Sequence, residues 1–133
     1  VSSVAHLPSL LPPLLSILRD PFIPASPQLL VADARALQSL VREAWMRIDV
    51  ARAVEVATSV CEAWVACVGY GSGEDVEAGK RELKRTVALV EKRVVELDGG
   101  TKDVWEGEKA RLVGDKSMFA ELFEGGEGAG ASA

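Results

Sequence analysis

The sequence predicts an all-α fold, and three observations carry that reading. No alternation of apolar and polar residues flanks an Asn-Gly or Asp-Gly turn to make a hairpin. Leu and Val recur instead at steps of three and four, the spacing of one face of a helix. The periodic stretches are separated by helix punctuation: Asp20-Pro21, Ser26-Pro27, Gly71-Ser72-Gly73 and Asp98-Gly99-Gly100.

The elements follow in order. A first helix is expected from Pro8 or Pro13 to Arg19, with Leu11, Leu14, Leu15 and Leu18 on one face. Asp20-Pro21 ends it, because a residue before proline is pushed out of the α region. The second starts with Ser26 as N-cap and Pro27 at the first helical position, where a missing N–H costs nothing. It runs to about Trp45 with Leu30, Leu37, Leu40, Val41 and Trp45 inward. The third follows Asp49 as N-cap and carries Val50, Val54, Ala57, Cys61, Trp64 and Val68. Its polar strip of Arg52, Glu55, Ser59 and Glu62 is narrow, so it is expected to be the most buried helix. The fourth spans about Glu74 to Leu97, with Val76, Leu83, Val87, Val90, Val94 and Leu97 inside, and Glu77 and Arg81 forming an i,i+4 pair. A fifth, about Lys102 to Val113, turns Val104, Trp105 and Leu112 inward and is weakened by Gly107. A sixth, about Lys116 to Glu124, gathers Met118, Phe119, Leu122 and Phe123 on one face.

These helices make one domain over residues 1–124, followed by a Gly/Ala/Ser tail over 125–133 that is expected to be disordered. Charge is unevenly spread. Residues 1–72 hold 5 basic and 6 acidic side chains and no Lys, whereas residues 73–133 hold 10 basic and 14 acidic ones. The first part reads as core and the second as cover. A net charge of −5 and a pI near 4.9 argue against a nucleic-acid partner. The uncharged stretch from Val1 to Leu18 has no basic leader, and Pro8, Pro12 and Pro13 interrupt it, so neither a signal peptide nor a membrane span is expected. Cys61 and Cys67 lie six apart on one helix, roughly 120° apart around its axis, which suits two reduced, buried thiols of an intracellular chain.

Little in the sequence supports catalysis or a bound cofactor or metal. Gly73 to Lys80 has five residues between its glycines and Arg81 after its lysine, against the four residues and the hydroxyl of a phosphate-binding loop. His6 stands alone without ligand spacing, and no Gly-x-Ser-x-Gly elbow occurs. The chain is therefore expected not to be an enzyme. Two features suit a protein partner. Arg35 and Arg42, seven apart on the second helix, share a face that could receive an acidic or phosphorylated segment. Met118, Phe119, Leu122 and Phe123 would either dock back on the domain or enter a partner's groove.

Residues 7–21, Leu-Pro-Ser-Leu-Leu-Pro-Pro-Leu-Leu-Ser-Ile-Leu-Arg-Asp-Pro, with Leu37-Gln38-Ser39-Leu40, Trp45-Met46-Arg47-Ile48 and Cys61-Glu62-Ala63-Trp64, carry a resemblance. Over residues 7–68 the chain resembles the C-terminal part of the second Tel-two-interacting protein family, a helical-repeat subunit of the TTT co-chaperone complex. Met46 stands where that family has proline, and two residues separate Cys61 from Trp64 where the family has an adjacent Cys-Trp. The resemblance implies a HEAT-like α-solenoid of antiparallel helix pairs, a period with which five to six helices in this chain agree. It further implies a non-enzymatic scaffold working with the other two TTT subunits. A heat-shock chaperone and phosphatidylinositol 3-kinase-related kinase clients would be engaged indirectly, in the cytoplasm and with the nucleus left open. The alternative is a free-standing helical-bundle adaptor for acidic or phosphorylated peptides.

Overall fold

A computed structural model describes residues 3–71, 73–97, 101–115 and 122–123, with side chains over 9–71, 73–97, 103–111 and 122–123. It is all-α, with no strand among the described residues. The helices are α1 (Ser3–Arg19), α2 (Pro27–Glu43), α3 (Val50–Tyr70), α4 (Glu74–Glu96) and α5 (Thr101–Asp115). Single 3-10 turns, Ile23–Ala25 and Trp45–Arg47, bracket α2.

The first helix starts at Ser3, earlier than the Pro8 or Pro13 expected from its sequence. Proline removes a donor from a helix. Pro12 and Pro13 occupy exposed positions of α1. Leu11, Leu15 and Leu18 are buried as the periodicity predicts. After Arg19 the Asp20 carboxylate accepts from Phe22 N–H at 2.9 Å, closing the turn into the Ile23–Ala25 segment.

Pro27 opens α2, but the Ser26 side chain makes no capping bond; only its carbonyl accepts, from Leu30 N–H at 3.0 Å. The helix ends at Glu43, and Trp45 belongs to the following 3-10 turn. Asp49 does cap α3, accepting from Arg52 N–H at 2.9 Å. Gly71, at φ +130°, ends α3 in backbone space that side chains rarely adopt. Glu74, Asp75 and Glu77 occupy the first turn of α4, where carboxylates oppose the positive end of the helix dipole.

Four side chains depart from expectation. Ser59, read as part of the polar strip of α3, is fully buried and accepts from Arg19 Nε at 3.1 Å. Val68, in the last turn of α3, is exposed. Val104 is exposed too, because α5 turns its neighbour Trp105 into the core. Glu77 pairs with Lys80 at 3.5 Å instead of Arg81. Leu112, the Asp98-Gly99-Gly100 stop, Met118, Phe119 and the 125–133 tail lie outside the described residues, or have side chains outside them.

The packing order defines the architecture. α1 packs on α2 and α3, and α4 packs on α2 and α3, while α5 lies on α3 and α4. An up-and-down bundle would pack α2 on α3 and α1 on α4 instead. The antiparallel pair α1/α2 is thus stacked on the antiparallel pair α3/α4, like on like. Leu30 meets Gly79, Gln38 meets Glu82 and Thr86, and Trp45 meets Glu96, so α2 and α4 run parallel. This order is compatible with an α-solenoid.

By length and composition α3 could cross a membrane, but half of that stretch is buried among its neighbours. Its core contribution includes Ala53, Val56, Val60, Cys61, Trp64 and Cys67.

Candidate functional site

The seam between α2 and α4 holds the densest polar arrangement. Gln38 and Thr86 are buried on facing helices, with Glu82 buried beside them. Gln38 Nε2 donates to Glu82 Oε1 at 3.1 Å and sits 3.2 Å from Thr86 Oγ1. Thr86 Oγ1 donates in turn to the Glu82 carbonyl at 2.8 Å. Arg85 and Arg35 approach Glu82 Oε2 at 2.6 and 3.4 Å. Burial opposes ionisation of Glu82, but the Gln38 amide, then Arg85 and Arg35, outweigh it and hold the carboxyl below its ordinary value.

Arg35, expected as a free contact for an anionic partner, is therefore tied to Glu82, though its side chain remains largely exposed. Arg42 is exposed and makes no ion pair among the described residues. At the far end of the seam Trp45 Nε1 donates to Glu96 at 2.6 Å, and the buried Arg93 donates to the Ile48 carbonyl at 2.9 Å while lying 5.9 Å from the Trp45 ring centre. Ile48 is fully buried, whereas Arg47 is exposed. The Trp45-Arg47-Ile48 segment thus works as the buckle that fastens α4 to the α2–α3 connection.

Cys61 and Trp64 are buried in α3, and Lys80 and Lys84 lie over the Trp64 ring at 4.8 and 5.6 Å. Burial pushes the Cys61 thiol up to about 12 and the Cys67 thiol up to about 11, so both stay protonated and unreactive near neutral pH. The Gly73–Lys80 stretch is no loop beyond its first residue: Gly79 and Lys80 belong to α4. A Cβ on Gly79 would come within 2.5 Å of Leu30 Cδ2, so this glycine lets α4 approach α2 closely.

Leu122 and Phe123 are buried, so this pair docks back on the domain. Phe123 borders a shallow recess shared with Val54, Ala57, Thr58, Trp105 and Lys109. There Glu91 accepts from Trp105 Nε1 at 3.1 Å and from Lys109 Nζ at 2.5 Å, pinning α5 to α4. Among the described residues no group of three or more His, Cys, Asp and Glu side chains could hold a metal ion.

Asp33 was missed by sequence reasoning. It is buried on α2, and neither carboxylate oxygen has a hydrogen-bond partner among the described residues. Desolvation raises its carboxyl to about 7.

No family model matches the chain, nor does any curated protein or solved structure.

Proposed function

We propose that the chain is a non-enzymatic interaction module, a helical-repeat scaffold of the kind the second Tel-two-interacting protein family supplies to the TTT complex. The observation that supports this most is the like-on-like stacking of α1/α2 on α3/α4. Residues that meet across the stack lie 40 to 51 apart in sequence, as in Arg19–Ser59, Gln38–Glu82 and Trp45–Glu96. That offset brackets the HEAT period of about 40–47 residues. The outer side of the first pair adds to it. Leu10, Pro13 and Ser16 of α1 and Leu29, Ala32 and Ala36 of α2 are exposed and uncharged. A terminal repeat is normally capped by a polar outer face, so this side suits cover by a further helix pair.

In this reading the protein works in the cytoplasm, with the other two TTT subunits as direct partners and a kinase client and heat-shock chaperone reached through them. The test is co-purification with the first Tel-two-interacting protein. Binding that is lost on Leu10→Asp with Ala36→Asp, in a chain that keeps its helical circular dichroism, supports the scaffold reading. Failure to co-purify rejects the assignment to that complex.

A further inference from the structure

The parallel run of α2 and α4 creates a basic ridge in an otherwise acidic protein. Arg35 of α2 and Arg85 of α4 are level with each other, since both reach the Glu82 carboxylate. Seven residues on, Arg42 of α2 and Lys92 of α4 occupy the same faces as Arg35 and Arg85, because seven residues is nearly two turns. The contacts on either side, Gln38 to Thr86 and Trp45 to Glu96, set Arg42 alongside Lys92. Four cations therefore stand in two rungs about 10 Å apart along the helices, the rails separated by about one helix spacing of 8–10 Å. Arg81 extends the α4 rail by one turn.

The anions nearby are accounted for. Glu82 is buried and neutralises one of the two arginines on the first rung. Glu96 is held by Trp45 and Arg93, and Glu43 lies about 100° round α2 from Arg42. The first rung thus carries about one net positive charge and the second two. Arg42, Arg81 and Lys92 are exposed and make no ion pair among the described residues.

We infer that this ridge binds an extended, phosphorylated protein segment, with a phosphoserine over Arg42 and Lys92 and a carboxylate three residues away over Arg35 and Arg85. A phosphate carries close to two negative charges at neutral pH, which matches the second rung, and a carboxylate matches the first. An extended segment in the polyproline II conformation advances about 3.1 Å per residue and turns once every three residues, so side chains three apart share a face and span the rungs. The inference rests on the interaction-module reading and names one of its surfaces.

The experiment is fluorescence anisotropy of the whole chain with a labelled peptide carrying phosphoserine and glutamate three residues apart. Saturable binding, weakened about tenfold or more by Arg42→Glu with Lys92→Glu and by moving the glutamate next to the phosphoserine, is the expected result. Neither side chain makes a hydrogen bond or ion pair among the described residues, and Arg42 lies in the last turn of α2, so the double variant should stay folded by circular dichroism with a denaturation midpoint at most slightly lowered; Arg42→Gln with Lys92→Gln gives a milder check. Binding that ignores the charge reversal overturns the inference, as does equal affinity for the unphosphorylated peptide or preferential binding to vesicles containing phosphatidylserine. None of these outcomes depends on co-purification with a TTT subunit, so the two readings fail separately.

Discussion

Gln38 on α2 and Glu82 on α4 lock the two stacked helix pairs together: the Gln38 amide donates to the Glu82 carboxylate at 3.1 Å and lies 3.3 Å from its carbonyl oxygen. Both side chains are buried, so the bond is shielded from competing water. Gln38→Leu leaves the Glu82 carboxylate without its buried amide donor, while Thr86 keeps its own bond to the Glu82 carbonyl. The expected cost is about 1–3 kcal/mol, read as a lower urea midpoint at unchanged slope. A midpoint equal to wild type would mean that Arg85 and Arg35 hold Glu82 unaided.

Asp33 gives the stack an opposite pH dependence. Its carboxyl titrates at about 7 in the folded chain and near 3.8 when unfolded, so between those values the native state holds the extra proton. Stability from this residue therefore falls as pH rises from about 4 through 7, by up to roughly 4 kcal/mol. Glu82 works the other way: its folded value is depressed, so its contribution is present above its ordinary value of 4.5 and is lost in acid. Asp33→Asn should make the protein more stable at pH 8 and nearly unchanged at pH 4. Urea midpoints at the two pH values check this, and a variant less stable at pH 8 contradicts it.

Gly79 is a steric prediction. Alanine in mid-helix normally gains about 1 kcal/mol over glycine, yet here its methyl would press on the buried Leu30. Overpacking costs about 1–3 kcal/mol, so Gly79→Ala should be net destabilising. Leu30→Ala removes the obstacle at the cost of a cavity, and the double variant should then be more stable than the two single costs added together. A double-mutant cycle measures that coupling, and strict additivity would place the Leu30 contact outside the energetics.

Helix type and core composition were legible because they depend on local periodicity. Leu30, Leu37, Leu40 and Val41 are buried as their spacing predicts, and Asp49 caps as its position predicts. What escaped was what depends on a neighbour. Asp33 and Gln38 sit beside Leu30, Leu37 and Val41 on the inward arc of α2, but polar residues there look like the edge of a solvated face until α4 and α1 close over them. Gly79 falls inside the predicted fourth helix, but its role as the point of close approach emerges only from its distance to Leu30. Of the basic ridge, Arg35 and Arg42 were visible in the spacing of one helix, whereas Arg85 and Lys92 join them only because α2 and α4 run parallel. Val104 and Trp105 are adjacent in sequence, and pattern alone gave no way to choose which one α5 turns inward.

Leu122 and Phe123 suit either docking on the domain or insertion into a partner's groove by sequence, and their burial distinguishes the two. Both are buried, and Phe123 lies against the recess formed by α3 and α5, with Lys109 Nζ 5.7 Å from its ring centre. A docked aromatic makes two demands that a partner-facing one does not. Phe123→Ala should lower stability by about 3 kcal/mol or more, as truncation of a buried phenylalanine does. It should also perturb the neighbouring Trp105, whose indole N–H is held by Glu91, so that Trp105 emission shifts to the red as water enters. Because Trp45 and Trp64 also emit, the spectrum is read in a Trp45→Phe, Trp64→Phe background, provided that background remains folded by circular dichroism. A red shift together with a lowered urea midpoint places Phe123 in the core. An unshifted spectrum and an unchanged midpoint would instead free it for a partner.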